Sequence, residues 1–330
     1  MSLILVRYNE LGLKSPKVRR RFQQKLIENI QDRFFRNKIE CVVDSQWGRI
    51  FVHTNDIDNG VRLLKKIFGI ASVSIVETGT GGLNNIIDAV LEYSKDILQS
   101  GQSFAVRTRR HGSHEFTSMD LAKKLGAEIL KKFKDRDISV NLSSPDVKIF
   151  VEVRNDTFYI FSKKIRAVGG LPLGTQGRII GIYENKNSFL AWWMMMKRGA
   201  TIIPVYPVRS QVKSIEEIEE LEDNQEFKKY YNILKNWVPV LKFRFYQIPE
   251  NESNDQLSRI QLYSRVINHM SIRFRVEGIV SGMTINDFKA DLELMDKKDK
   301  DIFNFPIFLP LIGMSESEIS LIEEGILETD

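Results

Sequence analysis

Apolar residues along the chain alternate between short strand-like runs and helical spacing, and this rhythm predicts most of the elements. Residues 3–8 read as a strand. Ser15-Pro16 then opens a helix, with a capping serine and proline at the first helical position. Val18, Phe22, Leu26, Ile30 and Phe34 recur every four residues, carrying that helix to about Arg36. Strands over 40–44 and 49–54 flank a tight turn at 45–48, a helix covers 55–68, and a strand covers 69–77. The order strand, helix, strand, strand, helix, strand is the ferredoxin-like βαββαβ arrangement. Residues 78–83, with Gly79, Gly81 and Gly82, read as a flexible hinge and a first boundary.

The next stretch predicts a helix over 84–98 and a strand over 103–108, followed by a basic loop, 107–114, holding Arg107, Arg109, Arg110, His111 and His114. Thr117 with Asp120 is a capping-box pattern and Phe116 with Leu121 a hydrophobic staple, so a helix starts there. Ala122, Leu125, Ile129 and Phe133 form its apolar face. Strands over 147–153 and 157–164 join at an Asn155-Asp156 hairpin turn, and Lys148, Arg154, Lys163, Lys164 and Arg166 add positive charge. The run Gly169-Gly170-Leu171-Pro172-Leu173-Gly174 breaks the pattern and sets a second boundary. Beyond it, strands over 179–182, 201–206, 239–245 and 277–280 separated by helical stretches predict a doubly wound parallel sheet. Ser214 with Glu217 and Ser315 with Glu318 are capping boxes for two of its helices.

Composition narrows the chemistry. At 330 residues and 42% hydrophobic, the chain can hold two or three domains. It lacks an apolar run of about 18 residues and a signal-peptide pattern, so the expectation is a cytoplasmic protein with no membrane contact. A single cysteine, Cys41, excludes intrachain disulfides and multi-cysteine metal sites, and reads as a small core residue. His111 and His114 lack a partner at ligand spacing, so no metal site is expected. Residues 1–174 hold 29 Lys and Arg against 19 Asp and Glu, whereas residues 175–330 hold 19 against 24. The basic half points to a polyanion such as nucleic acid.

Two places could present that charge. Lys17, Arg19, Arg20 and Arg21 crowd the start of the first helix, the end where the macrodipole is already positive. Either an anion sits nearby or the face is solvated. The 107–114 loop meets a helix N-terminus, and its arginines suit phosphate oxygens. In the second half, the turn 183–188 between a parallel strand and an apolar helix is where a nucleotide would bind. Cradling phosphates there normally takes glycines, and Tyr183, Glu184, Asn185, Lys186, Asn187 and Ser188 include none.

Several of these stretches resemble the tRNA 4-thiouridine synthetase family, the tRNA sulfurtransferases. Residues 7–15, with Val18, Arg19 and Phe22, are similar to the start of its ferredoxin-like domain. Residues 107–112, His114, 116–118 and Asp120, with 144–147 and 151–153, resemble its THUMP domain, an RNA-binding module. GGLPLGTQ at 169–176 is similar to its linker into a PP-loop ATP-pyrophosphatase domain, and 305–312 to the segment before its last helices. The resemblance implies domains over 1–77, 78–172 and 173–330. It also implies that the acceptor end of tRNA is held by the basic positions Lys14, Lys17, Arg19, Arg20, Arg107, Arg109, Arg110, His114 and Lys148.

The chemistry departs from that pattern. The family turn Ser-Gly-Gly-x-Asp-Ser falls on Tyr183, Glu184, Asn185, Lys186, Asn187 and Ser188, where only Ser188 matches. Lys186 offers a compensating charge, and Asn187 retains an N-cap role. Residues 175–330 contain no cysteine for a persulfide, and the sequence stops at Asp330, about where the family cysteine would come, with no rhodanese-like extension. Ser281-Gly282-Met283 replaces an expected Thr-Gly-Glu-like stretch. The expectation is therefore a tRNA-binding protein that is not an autonomous sulfurtransferase. The alternative is an ATP-dependent enzyme taking sulfur from a partner or free sulfide. ATP and magnesium belong to the site only if the altered turn still binds nucleotide. A second copy of the chain, or a catalytic or sulfur-donor protein, fits as partner. The acidic run 216–226 is a contact surface in that case and a solvated helix face otherwise.

Overall fold

The computed structural model describes residues 2–8, 15–46, 48–208, 215, 217–218, 225–248, 259–294 and 305–327, with side chains except at 260, 272 and 292–294. Two compact units result. One comprises Met1–Arg7, Phe34–Val61 and Ser72–Arg166; the other comprises Tyr8–Arg33, Arg62–Ala71 and Ala167–Asp330.

The first unit is built on nine strands: β1 (Ser2–Arg7), β2 (Cys41–Gln46), β3 (Arg49–Thr54), β4 (Ser72–Thr80), β5 (Ser103–His111), β6 (Ser139–Val140), β7 (Val147–Arg154), β8 (Thr157–Phe161) and β9 (Ile165–Arg166). They form one sheet in the order β2-β3-β1-β4-β8-β7-β5-β6, with β9 beside β4. Helices α1 (Pro16–Arg36) and α2 (Ile57–Lys65) run across the division between units, while α3 (Leu83–Ile97) and α4 (Ser118–Lys132) lie within the first. Phe104, Val106, Ile149, Val151, Val153, Phe158 and Ile160 pack with Ile86, Val90, Leu121, Leu125 and Ile129 of these two helices. Strand alternation therefore assigns one face of the sheet to the helices.

The ferredoxin-like order appears as the periodicity predicts, but two local readings change. Residues 78–80 are not a hinge, because β4 continues through them to pair with β8, Thr80 opposite Thr157. Gly79 is there for closeness: a Cβ on it would lie 2.4 Å from the Phe158 ring. Likewise Arg107 to His111 are strand, paired with β7 from Phe150 to Arg154, rather than loop. The predicted capping box is present, with Asp120 N donating to Thr117 Oγ1 at 3.1 Å and Thr117 N to Asp120 Oδ2 at 3.1 Å. Replacing Thr117 by alanine is expected to lower stability by about 1 kcal/mol, measurable as a shifted urea midpoint with unchanged slope.

The second unit contains β10 (Arg178–Ile182), β11 (Thr201–Val208), β12 (Arg244–Gln247), β13 (Ile279–Val280) and β14 (Ile307–Phe308), in the order β12-β11-β10-β13-β14. Among the described residues, all four pairings are parallel. Helices α5 (Lys186–Lys197), α6 (Gln225–Trp237) and α9 (Glu316–Leu327) contribute Phe189, Trp192, Phe227, Tyr230 and Ile319 to one apolar cluster. On the opposite side, α7 (Arg259–Phe274) and α8 (Ile285–Leu294) contribute Tyr263, Val266, Ile267, Met270 and Phe288 to another. The sheet is doubly wound, and each fully buried Phe, Leu or Met in these layers stabilises it by about 1.5–3 kcal/mol. Strand β12 starts later than its apolar pattern predicts, since Leu241 and Phe243 are buried without being strand. Strand β14 is an addition from the segment around 305–312. The Ser315–Glu318 capping box forms, whereas Ser214 of the other predicted box lies outside the described residues. Among the described residues, no helix is long and apolar enough to cross a membrane.

Candidate functional site: a filled switch point and a cationic sheet face

The strand order reverses between β10 and β13, and in open α/β sheets ligands bind outside the carboxyl ends of such a strand pair. Here those ends lead into Tyr183 and Ser281. The crevice is occupied by the protein's own side chains. Tyr183 is buried and stacks on Tyr206 at 5.1 Å, with Phe227 edge-on at 4.9 Å. Helix α5 begins at Lys186, three residues before its apolar stretch, because Asn185 caps it: Asn185 Oδ1 accepts from Asn187 N at 2.9 Å. Asn185 rather than Asn187 is thus the N-cap.

Three N–H groups of the turn are bonded within it. Glu184 N donates to Ser188 Oγ at 3.0 Å, Ser188 N to Asn185 O at 3.0 Å, and Asn187 N to the cap. From the facing loop, Gly282 presses on this turn so closely that a Cβ on it would lie 2.4 Å from the Asn187 carbonyl carbon. Lys186, the expected compensating charge, turns to α9 instead, where Nζ sits 2.9 Å from Glu323, a carboxylate that also accepts from Tyr230.

Glu184 is the centre of a carboxylate-rich network that sequence reasoning did not assemble. It accepts from Tyr263 and pairs with Arg259 Nε at 3.0 Å. Arg259 is shared with Asp287 at 3.3 Å and Asp291 at 3.8 Å, and Tyr263 also meets Ser281 Oγ at 2.6 Å. Burial pushes Glu184 up to about 7; Tyr263 and Arg259 oppose this, but two aspartates compete for the same guanidinium. Burial likewise raises Asp291, and buried Tyr263 is pushed well above the usual phenol range. Asp287 stays below the usual carboxylate range despite its burial, because Thr284 donates twice to it. Three carboxylates around one arginine make a poor receptor for a polyphosphate.

The first unit presents the basic residues differently from their reading as a loop. The register sets Arg107 beside Phe150, Arg109 beside Glu152 and His111 beside Arg154. Alternation then gives Arg107, Arg109 and Lys148 one face and Arg110 the other, the helix side. Arg107 donates to Leu142 O, and His114 stacks on Phe116 at 5.4 Å while its ring nitrogen meets His111 O. Lys17, Arg19 and Arg20 sit in the first turns of α1, whose first turn holds no acid; Lys14 lies outside the described residues. Cys41 is half-buried on β2, and burial raises its thiol.

What sequence reasoning missed is the floor of the helix-free face. Glu152 is buried and takes Arg49 through two contacts of 3.2 Å, with Arg154 at 3.6 Å and Arg7 at 3.8 Å. β3 and β7 are four strand steps apart, about 19 Å in a flat sheet at roughly 4.8 Å per step. The Arg49–Glu152 contact therefore shows that the sheet curls about this face, as does Phe51 stacking on Tyr159 at 4.7 Å. A carboxylate inside the apolar run Val147–Arg154 is the signal that could have located it.

Comparison with known proteins agrees with this architecture. Residues 3–74 match the ThiI ferredoxin-like domain, and residues 82–163 match the THUMP domain. A probable tRNA sulfurtransferase from Methanosarcina mazei is 30% identical over 96% of this chain and 80% of its own length. One from Methanobrevibacter smithii is 30% identical over 98% and 86%. Among solved structures, PH1313 from Pyrococcus horikoshii superposes with a TM-score of 0.77 at 29% identity, covering 99% of both chains. A 4-thiouridine synthetase in complex with RNA and bound ATP superposes with a TM-score of 0.75 at 24% identity, covering 100% of this chain and 86% of that one, a likeness of fold.

Proposed function

The chain belongs to the tRNA sulfurtransferase family, and we propose that it is a tRNA-binding member that does not itself activate tRNA with ATP. In this reading residues 1–77 and 78–172 form the RNA-holding part, and residues 173–330 keep the PP-loop frame without its phosphate cradle. The observation that carries it is the turn after β10, whose Glu184, Asn187 and Ser188 N–H groups are bonded within the turn. An N–H already paired to its own loop must lose that bond to take a phosphate oxygen, and Glu184 adds a carboxylate where the anion would approach.

Two measurements on the full chain test it. Calorimetry with ATP and magnesium should give no binding heat and no thermal shift; saturable ATP binding would favour the alternative, an enzyme supplied with sulfur by a partner or as sulfide. Filter binding with an acceptor-stem RNA should show affinity that falls steeply with salt. RNA binding absent even at low ionic strength would remove the first half of the proposal.

A further inference from the structure

The curled, helix-free face of the first unit carries more positive charge than its own structure uses. Arg7, Arg49 and Arg154 converge on the single carboxylate of Glu152, and Arg109 is paired in register with it. Lys164 Nζ lies 3.9 Å from the centre of the Phe150 ring, and the Arg7 guanidinium 4.5 Å from that of Phe161. Asp44 faces His53 at 3.0 Å. Among the described residues, five cations thus gather around one buried acid.

Arg7 gives the second, independent sign. It is only 8% exposed; Nη1 donates to Ser74 Oγ at 2.9 Å, yet Nε and Nη2 have no hydrogen-bond partner. Leaving donors of a buried guanidinium unpaired is costly, and an anion over the floor would offset part of that cost through charge. Arg109 and Lys164 are exposed, so they stand as the accessible rim above this floor. Burial, and after it the neighbouring Arg7 and Arg109, lowers the Lys164 ammonium, as expected for a cation packed among cations.

We propose that Arg109 and Lys164, above the buried Arg7 and the half-buried Arg49 and Arg154, form a binding site for a phosphate group, and that RNA bound by this chain places a backbone phosphate there. The RNA half rests on the tRNA-binding reading; the phosphate half does not. The site lies on the face opposite to Arg110 and the α4 N-terminus, so it places RNA on the sheet rather than on the helices.

The test uses the full chain with two probes. With acceptor-stem RNA, the double variant R109A/K164A should bind about tenfold more weakly and lose about one to two from the log–log salt slope, while keeping the wild-type melting temperature. An unchanged slope would overturn the RNA half. With pyrophosphate, reductive methylation of Lys164, read by peptide mass spectrometry, should slow severalfold relative to Lys131 on α4, and R109A should abolish that protection. If pyrophosphate protects Lys164 but RNA does not bind, the site stands and the tRNA reading fails. If neither probe protects Lys164, the site itself is refuted.

Discussion

Replacing Glu152 by glutamine is expected to lower the free energy of unfolding by about 3–5 kcal/mol, the usual cost of removing one partner from a buried ion cluster. The side chain is 6% exposed and faces three guanidinium groups, so the variant leaves Arg7, Arg49 and Arg154 packed together without a counter-charge. Glutamine keeps the shape and an acceptor oxygen for Arg49, which isolates the charge as the cause. The pH dependence has a definite sign. Burial alone would raise this carboxyl, but Arg49 and then Arg7 and Arg154 outweigh it and hold it below its ordinary value. Its stabilising contribution is thus present above the unfolded value near 4.5 and is lost as pH falls through the depressed folded value. Urea unfolding of wild type and E152Q should differ most near neutrality and converge in acid. A difference under about 1 kcal/mol at pH 7 would mean that the arginines are not organised by this carboxylate. Sulfate should restore part of the stability of E152Q, because an anion can then stand in for the missing charge.

How much of this could be read in advance depends on the range of the interaction that decides it. Helix α1 was legible to the residue, because a four-residue apolar repeat and a Ser-Pro start are local signals. The capping box at Thr117 was equally local. Strand β5 was not: Arg107 to His111 look like a basic loop until Phe150 to Arg154, some forty positions later, supply a partner strand. Gly79 misled for a related reason, since a glycine required by the nearby Phe158 ring is indistinguishable in sequence from one required by a bend. The face opposite the helices shows the largest gap. Its residues come from β1, β3, β5, β7 and the segment just after β8, each contributing one or two charges, and only the register and curl of the sheet bring them together. In the second unit, the missing glycines at 183–188 were plain, whereas Arg259, Asp287 and Asp291 lie on helices far along the chain and carry no motif.

Burial of Glu184 in the 183–188 turn has an energetic consequence, and E184Q should reveal it as a gain in stability. Burial raises the Glu184 carboxyl from 4.5 to about 7, so the folded protein prefers this group neutral. A carboxyl with a raised folded value contributes stability that is fully present below its unfolded value and is lost as pH rises through the folded one. Glutamine, which never ionises, escapes that loss. At pH 8 the variant should be more stable than wild type by up to about 3 kcal/mol, and at pH 4 the two should be nearly equal. The amide oxygen can still accept from Tyr263, and Arg259 keeps Asp287 and Asp291, so neither neighbour is left without a partner. Urea titrations at both pH values decide the matter. Were E184Q less stable at pH 8, the Arg259 ion pair would have to outweigh the burial of the carboxylate, and the turn would be held shut by charge. A gain at pH 8 would instead mark Glu184 as a buried carboxylate kept at a cost to folding, with the Arg259 pair unable to offset its burial.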